Sequence, residues 1–340
     1  MNNNSSLLKS LRRNIEGRWY SDSPGWLALL APLEFAYRAV AANRRKRLSA
    51  TQRAFGVPVV VVGNIQVGGG GKTPTLIALV DALRQRGMTP GVVSRGYGRE
   101  QQSAHFLSSE SSIAESGDEA RLIFDECGCP LVVASDREQA VTLLLERAEV
   151  DIVLSDDGLQ HYSMWRDVEI AVFNRDAGFG NGHCLPVGPL REPTTRLREV
   201  DFVLEVVAAT SAATIGDNSY PVQQLEKAWK NVRSGRQCEL SHFKNSTALA
   251  LCGLARPQKF FDTLSALGVN FEARPFPDHY RYSAADFAGI GERLCLMTAK
   301  DAVKCRDIVG DNCWALEIEY QLPSEFIDAL LNKLKDIETP

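Results

Sequence analysis

The sequence predicts an α/β fold: a P-loop NTPase-like core with a mostly parallel sheet, a smaller α/β second lobe, and an N-terminal amphipathic helix. Three observations carry that expectation. Apolar β-branched runs alternate with helix-periodic segments from residue 57 onward. A glycine-rich string ending in Lys72-Thr73 lies between one such run and a helix. A basic, partly apolar segment precedes both. The predicted divisions are 1–47 for the basic segment, 48–205 for the P-loop core and 206–340 for the smaller lobe.

The first strand is Val57 to Val62, a run with no polar residue, as a strand buried on both faces requires. Pro74 to Gly87 follows as a helix with Leu76, Leu79, Val80 and Leu83 on one side. Further strands are expected at 89–94, 130–134, 150–155, 168–174 and 202–207, with helices from Asp118 and at 137–147. Residues 100–117 are polar and Ser-rich and read mainly as loop. From Ala208 to Ser246 strong periodicity is missing. Beyond it, strands at 248–251, 271–276, 295–298 and 314–319 alternate with helices at 258–266, 284–293 and 324–334.

With 340 residues, 44% hydrophobic and 24% charged, the chain can bury a sizeable core, which argues against general disorder. The net charge of −4 excludes a nucleic-acid polycation. Eight cysteines occur without any C-x-x-C spacing, so reduced thiols are expected rather than a zinc site or a disulfide framework.

Residues 1–50 nevertheless hold nine Lys/Arg against three acids. Trp26, Leu29, Leu30, Leu33 and Tyr37 recur there at helical spacing, ahead of the cluster Arg44-Arg-Lys-Arg47. The uncharged stretch, Ser23 to Leu33, is far short of the roughly 20 residues a membrane span needs, and no signal-peptide cleavage pattern follows it. Two readings stay open. The helix lies in a lipid interface with its cations on anionic headgroups, or it covers the core like any amphipathic helix.

The sharpest chemical signal is Gly68-Gly-Gly-Gly-Lys-Thr-Pro74. A phosphate cradle needs glycines that let successive backbone N–H groups turn toward the anion. It also needs a Lys for the β/γ-phosphates and a hydroxyl for Mg²⁺, at a helix N-terminus. The residues predicted to contact nucleotide are Gln66, Val67, Gly68, Gly69, Gly70, Gly71, Lys72 and Thr73. Gln66 stands where the general P-loop pattern has glycine. Asp156 and Asp157 close an apolar strand and are candidate Mg²⁺ carboxylates, although an Asp doublet after a strand is also common turn chemistry. Mg-ATP or Mg-GTP binding follows.

The string Gly63-Asn-Ile-Gln-Val-Gly-Gly-Gly-Gly-Lys-Thr-Pro74 resembles the tetraacyldisaccharide 4′-kinase family. So do Ser94-Arg-Gly-Tyr-Gly-Arg99, Gly117-Asp-Glu119, Ser155-Asp-Asp-Gly-Leu-Gln-His161 and Leu185 to Pro193. Cys252-Gly-Leu-Ala-Arg-Pro257, Asp278-His-Tyr280 and Met297-Thr-Ala-Lys-Asp301 continue the resemblance over nearly the whole chain. At Gln66 the family usually has a small hydroxylic residue.

The resemblance implies transfer of the ATP γ-phosphate to the 4′-hydroxyl of a tetraacylated glucosamine disaccharide 1-phosphate, giving lipid IVA. It also implies work at the cytoplasmic face of the bacterial inner membrane. Partners would then be that acylated lipid and the cytoplasmic leaflet, with no nucleic acid and no obligate protein partner. Asp118 matches the catalytic Asp, Glu119 its neighbour, and His279 a supporting histidine. A carboxylate in reach of the sugar hydroxyl would accept its proton; a helix N-cap is the competing role for Asp118. Arg191 is a candidate for phosphate charge and Glu192 for Mg²⁺, along with Thr73, Asp156 and Asp157; a surface salt bridge competes for Arg191 and Glu192. Arg95, Tyr97 and Arg99 are further candidates facing the disaccharide phosphate or the nucleotide. His105, His161 and His183 read as structural or surface residues. Asp118 and His279 fall in different predicted lobes, so lobe closure is expected. The alternative is a P-loop NTPase acting as a regulatory or partner-binding module, though no N-K-x-D motif is present.

Overall fold

The computed structural model of the chain describes residues 14–68, 70–207 and 216–338. Gly69 of the phosphate loop lies outside the described residues. After a 3-10 helix at Gly25–Leu30 come α1 (Ala31–Ser49), β1 (Val59–Gly63), α2 (Lys72–Gln85), β2 (Pro90–Ser94) and β3 (His105–Phe106). Next are α3 (Ile113–Ser116), α4 (Asp118–Cys127), β4 (Leu131–Val133), α5 (Arg137–Arg147), β5 (Ile152–Asp156), β6 (Val168–Asn174) and β7 (Phe202–Val207). The chain continues through β8 (Ser219–Asn231), β9 (Gln237–Cys238), β10 (Thr247–Cys252), α6 (Pro257–Ala266), β11 (Asn270–Pro275) and α7 (Ala284–Phe287). It closes with β12 (Leu294–Thr298), α8 (Ala299–Cys305), β13 (Cys313–Gln321) and α9 (Ser324–Glu338).

These elements form two compact units, and neither is one contiguous segment. The first takes the described chain up to Lys72, Asp151–Val222 and the chain from Pro323; the second takes Thr73–Val150 and Gln223–Leu322. The linear division expected at residues 47 and 205 therefore differs from the compact units. Parallel sheets favour this interleaving, because strands adjacent in a sheet need not be adjacent in sequence.

In the first unit β7, β6, β1 and β5 are successive parallel neighbours, with Val60 opposite Val168 and Val62 opposite Asp156. Val59 through Val62 are fully buried, as their uninterrupted β-branching requires. An aromatic trio, Phe202, Tyr220 and Phe326, joins α9 to β7 with ring centroids 5.4–6.1 Å apart.

In the second unit β4 runs parallel to β2 and antiparallel to β3. The parallel order β11-β10-β12-β13 is joined by antiparallel β8. Side chains alternate along β10: Ala248, Ala250 and Cys252 pack with Phe260, Phe261 and Leu264 of α6, while Leu249 and Leu251 pack with Cys305 of α8. Thirteen-residue β8 falls where no element was expected. Its Gln, Glu and Lys residues carry no clean alternation, and a bulge opposite Glu317/Ile318 breaks the register. The helix expected over 284–293 stops at Phe287.

Of the two readings of the N-terminal segment, a single helix covering the core with its apolar face is not what forms: a 3-10 turn leads into α1, whose inward face is polar. Glu34 is buried, accepting from the Cys184 N–H (2.8 Å) and pairing with His183 Nδ1 (2.9 Å). Tyr37 donates to the Arg191 carbonyl (3.0 Å), and Arg45 pairs with Glu199 (2.5 Å). Leu29, Leu33 and Val40 are 83, 57 and 68% exposed, and Trp26 and Phe35 are exposed as well.

Candidate active site

The phosphate loop leaves β1 at Gly63 and is shaped from both sides. A Cβ at Gly70 would sit 2.8 Å from the Nδ2 of buried Asn64, so no larger residue fits there without displacing that amide. Opposite, residues 189–191 are zipped along the loop's start. The Val67 N–H donates to the Pro189 carbonyl (2.9 Å) and the Arg191 N–H to the Ile65 carbonyl (2.7 Å). Gln66 turns its amide away into a structural bond with the Gly178 carbonyl (2.5 Å) and forms a bridge with Leu190. A glutamine thus occupies the position by stapling the loop's entry to its neighbour.

This zipper sets Arg191 beside Asp157. Its Nη1 lies 3.1 Å from both Asp157 oxygens, and Lys72 Nζ lies 3.4 Å from Oδ1. Burial works against ionisation of Asp157, but Lys72 and then Arg191 outweigh it and hold the carboxyl well below its usual range. Asp157 adopts φ 47°, a left-handed conformation Asp tolerates better than most residues.

Sequence reasoning missed two side chains here. Gln160 accepts from Arg191 (3.1 Å) and donates to Glu192 Oε1 (2.7 Å) and to the Asn64 carbonyl (3.0 Å). Tyr162 donates to the other Glu192 oxygen (2.5 Å), where Arg196 Nε also arrives at 3.2 Å. Gln160 lay inside the quoted Ser155–His161 string, but nothing in the string reveals its partners. Glu192 is buried in this network, not in an exposed salt bridge.

Among the described residues, no three His, Cys, Asp or Glu side chains converge as a self-sufficient metal cage. Of the predicted Mg²⁺ residues, Asp156, Asp157 and Glu192 lie in the first unit and Thr73 in the second, and all carry the hard oxygen atoms that Mg²⁺ takes.

The second unit holds the other predicted residues. Helix α4 starts at Asp118 behind Gly117, whose φ is 79° and whose Cβ would be 2.5 Å from the Tyr97 carbonyl; only glycine fits. Gly117 holds the N-cap position, which frees the Asp118 side chain for other work. Asp118 Oδ2 lies 2.9 Å from His279 Nδ1. This pair sits within one unit, so the expectation of closure drawn from their separation loses its basis.

His279 has φ 55°, uncommon for a ring-bearing residue, and the Tyr97 ring covers it with centroids 4.8 Å apart. Glu119 pairs with Lys300 at 3.0 Å. Burial would raise the Asp118 carboxyl; the His279 hydrogen bond, followed by the charge of Lys300, overcomes it and leaves the carboxyl below its ordinary value. Arg99 is a framework residue, donating to the Ser103 and Gln102 carbonyls (both 2.7 Å), whereas Tyr97 is exposed. His105 bonds Ser111 (2.9 Å) and His183 bonds Glu34, both as structural partners.

The first unit thus holds a phosphate loop with a cation-clamped Asp, and the second a hydrogen-bonded Asp–His pair. The family model described as tetraacyldisaccharide-1-P 4′-kinase matches residues 26–335. The chain belongs to that family. A tetraacyldisaccharide 4′-kinase of Aeromonas hydrophila is 41% identical, with 94% of this chain and 96% of the relative covered. One from Ectopseudomonas mendocina is 43% identical over 93 and 95%. Among solved structures, the "apo" form of LpxK from Aquifex aeolicus in complex with ATP superposes with a TM-score of 0.79. It is 26% identical and covers 91% of this chain and 99% of its own. The α/β P-loop fold class and the membership in the tetraacyldisaccharide 4′-kinase family thus agree with the expectation from sequence. The expected amphipathic helix does not share in that agreement. No helix among the described residues is long and apolar enough to cross a membrane.

Proposed function

We propose that this kinase transfers the γ-phosphate of ATP to the 4′-hydroxyl of a tetraacylated glucosamine disaccharide 1-phosphate, a lipid A precursor. The observation that carries the reading is Asp118 hydrogen-bonded to His279 at 2.9 Å, its carboxyl held below its ordinary value first by that bond. A nucleotide switch that activates water has no need of such a pair, whereas a sugar hydroxyl is a poor nucleophile and needs a proton acceptor.

In this reading Lys72 and the loop N–H groups hold the β- and γ-phosphates, and Arg191 faces the charge that spreads over the transferring group. Mg²⁺, when bound, would neutralise phosphate charge from Thr73, Asp156, Asp157 and Glu192. Asp118 Oδ1 or Oδ2 takes the hydroxyl proton as the oxygen–phosphorus bond forms, and the bond to the ADP oxygen breaks. His279 holds the Asp118 carboxylate in place through Nδ1, and Glu119 carries the charge beside it.

Four acyl chains keep such an acceptor in a bilayer, at about 0.8 kcal/mol per buried CH₂, so the enzyme must work at a lipid surface. Exposed Leu29, Leu33 and Val40 beside the cationic end of α1 support docking on the cytoplasmic leaflet of the inner membrane. The test incubates γ-labelled ATP with the protein, with and without the purified acceptor lipid. Label should appear on the 4′-oxygen, with little phosphate released when acceptor is absent. Full-rate ATP hydrolysis without acceptor, and none to the lipid, would establish the switch reading instead.

A further inference from the structure

Lys300, beside the Asp118–His279 pair, has been given no role so far, yet it is held from several sides. It occupies the second position of α8, a helix whose start is pinned from several directions. The Thr298 hydroxyl caps Asp301 N–H (3.2 Å). Asp301, fully buried, accepts from the Gly253 N–H (3.0 Å) and the Tyr282 hydroxyl (3.2 Å) and pairs with Lys304 (2.8 Å). The Lys300 backbone is therefore fixed before its side chain makes any contact.

That side chain reaches three groups: Glu119 Oε1 at 3.0 Å, His279 Nε2 at 3.4 Å and Asp278 Oδ1 at 3.8 Å. Burial works against its charge, but Glu119, Asp278 and Asp118 outweigh burial and keep it an ammonium. An ammonium has three donors and no acceptor. Nε2 of His279 must then meet it with a lone pair, which leaves the ring hydrogen on Nδ1, the atom 2.9 Å from Asp118.

We propose that Lys300 is a positioning residue: its N–H fixes the tautomer of His279, so that Nδ1–H is presented to Asp118 throughout the catalytic cycle. The proposal rests on the kinase reading and deepens it. Without Lys300, the nearest acceptor for an Nε2 hydrogen is Asp278 Oδ2 at 3.9 Å. The ring would then be drawn between two carboxylates instead of serving one. The charged and titratable groups around the pair are Asp118 and Glu119 from α4, Asp278 from the histidine's own loop, and Lys300 and Lys304 from α8; the Tyr97 ring closes one face. The two lysines lower Asp118, and Lys300 is the stronger of them.

Two readouts test this on the full-length protein. With ¹⁵N-histidine labelling, the His279 signals are identified by their loss in His279→Ala. In the wild type at neutral pH, Nδ1 should carry the hydrogen and Nε2 none. In Lys300→Met, Nε2 should gain one, and Lys300→Arg should restore the wild-type pattern. In acceptor phosphorylation, Lys300→Met should lower kcat on the order of 10²-fold, the low end of what general acid–base catalysis contributes, with KM for ATP unchanged. The acidic limb of its kcat profile should also move to higher pH, because Asp118 loses a neighbouring cation. A hydrogen on Nε2 in the wild type overturns the proposal with no variant needed. So does a Lys300→Met limb that does not move. The spectrum requires no turnover, so a wild type that fails to phosphorylate the lipid sinks the kinase reading and leaves the tautomer assignment standing.

Discussion

Asp157 in the first unit and Asp118 in the second are both carboxylates held below their ordinary range, yet they are built for opposite tasks. Asp157 is clamped by two permanent cations, Lys72 and Arg191, the latter bonding both oxygens. Asp118 is held first by a hydrogen bond from His279 and only then by the charge of Lys300. The first arrangement makes a charge that never needs a proton. The second keeps its carboxylate by a hydrogen bond more than by an ion pair. Each cluster also includes a residue with a left-handed backbone, Asp157 itself (φ 47°) and His279 (φ 55°). The same backbone conformation therefore accompanies a cation-clamped carboxylate in one case and, in the proposed function, an acid–base pair in the other.

If that contrast holds, Asp118→Asn should give the largest loss. It removes the proton acceptor and should lower kcat by about 10²–10⁴-fold while ATP affinity, measured by calorimetry, stays put. A matching fall in ATP affinity would make Asp118 a nucleotide ligand and erase the distinction. Lys72→Ala should cost about 10²–10³-fold in turnover and should weaken ATP binding as well, since its charge faces the phosphates in ground and transition states alike. Preserved ATP affinity in that variant would break the comparison from the other side.

The pH response sharpens it. Because Asp118 is depressed, the acidic limb of wild-type kcat should lie below the ordinary Asp value of about 3.9, leaving activity flat on the carboxylate side down to about pH 5. His279→Ala removes the hydrogen bond that lowers Asp118 most, so the limb should climb toward neutrality. The sign for stability is the same as for any depressed carboxyl: the contribution is present above the unfolded-state value and is lost as pH falls through the folded one. The smallest effect concerns the membrane. Leu29→Ser with Leu33→Ser should reduce flotation with anionic vesicles roughly tenfold, less than the about 1.5–3 kcal/mol per fully buried side chain would allow. ATP affinity should not change; equal flotation of both proteins would remove these residues from the docking surface.

How much of this was legible depended on the kind of signal. Val59–Val62 announces itself, because an uninterrupted β-branched run suits a strand buried on both faces; Phe202–Val207 is nearly as plain, its one polar residue, Glu205, being buried against Arg175. β8 does not, since its Gln and Lys side chains meet solvent and partners rather than a core. Leu29 and Leu33 have the right spacing for a core helix and yet face outward, because Glu34 and Tyr37 found hydrogen-bond partners on the inner side. At the site, the glycine loop and Lys72 could be read from chemistry alone, and Asp118 with His279 only through family resemblance. Gln160 and Lys300 were silent: their meaning lies in what they touch, 31 to 96 and 21 to 181 residues away in sequence.

The interleaving of the two units also bears on how the protein is made. β1 emerges from the ribosome early, but its neighbours β5 and β6 come roughly a hundred residues later, and Phe326, fully buried against Phe202 and Tyr220, comes near the end of the described chain. At about 5–20 residues per second, β1 waits several seconds for its first sheet partners and over ten for the last piece of its core. During that interval its valines must be kept from other chains. Synthesis order thus makes the first unit, although it holds the start of the chain, unable to finish folding until α9 arrives.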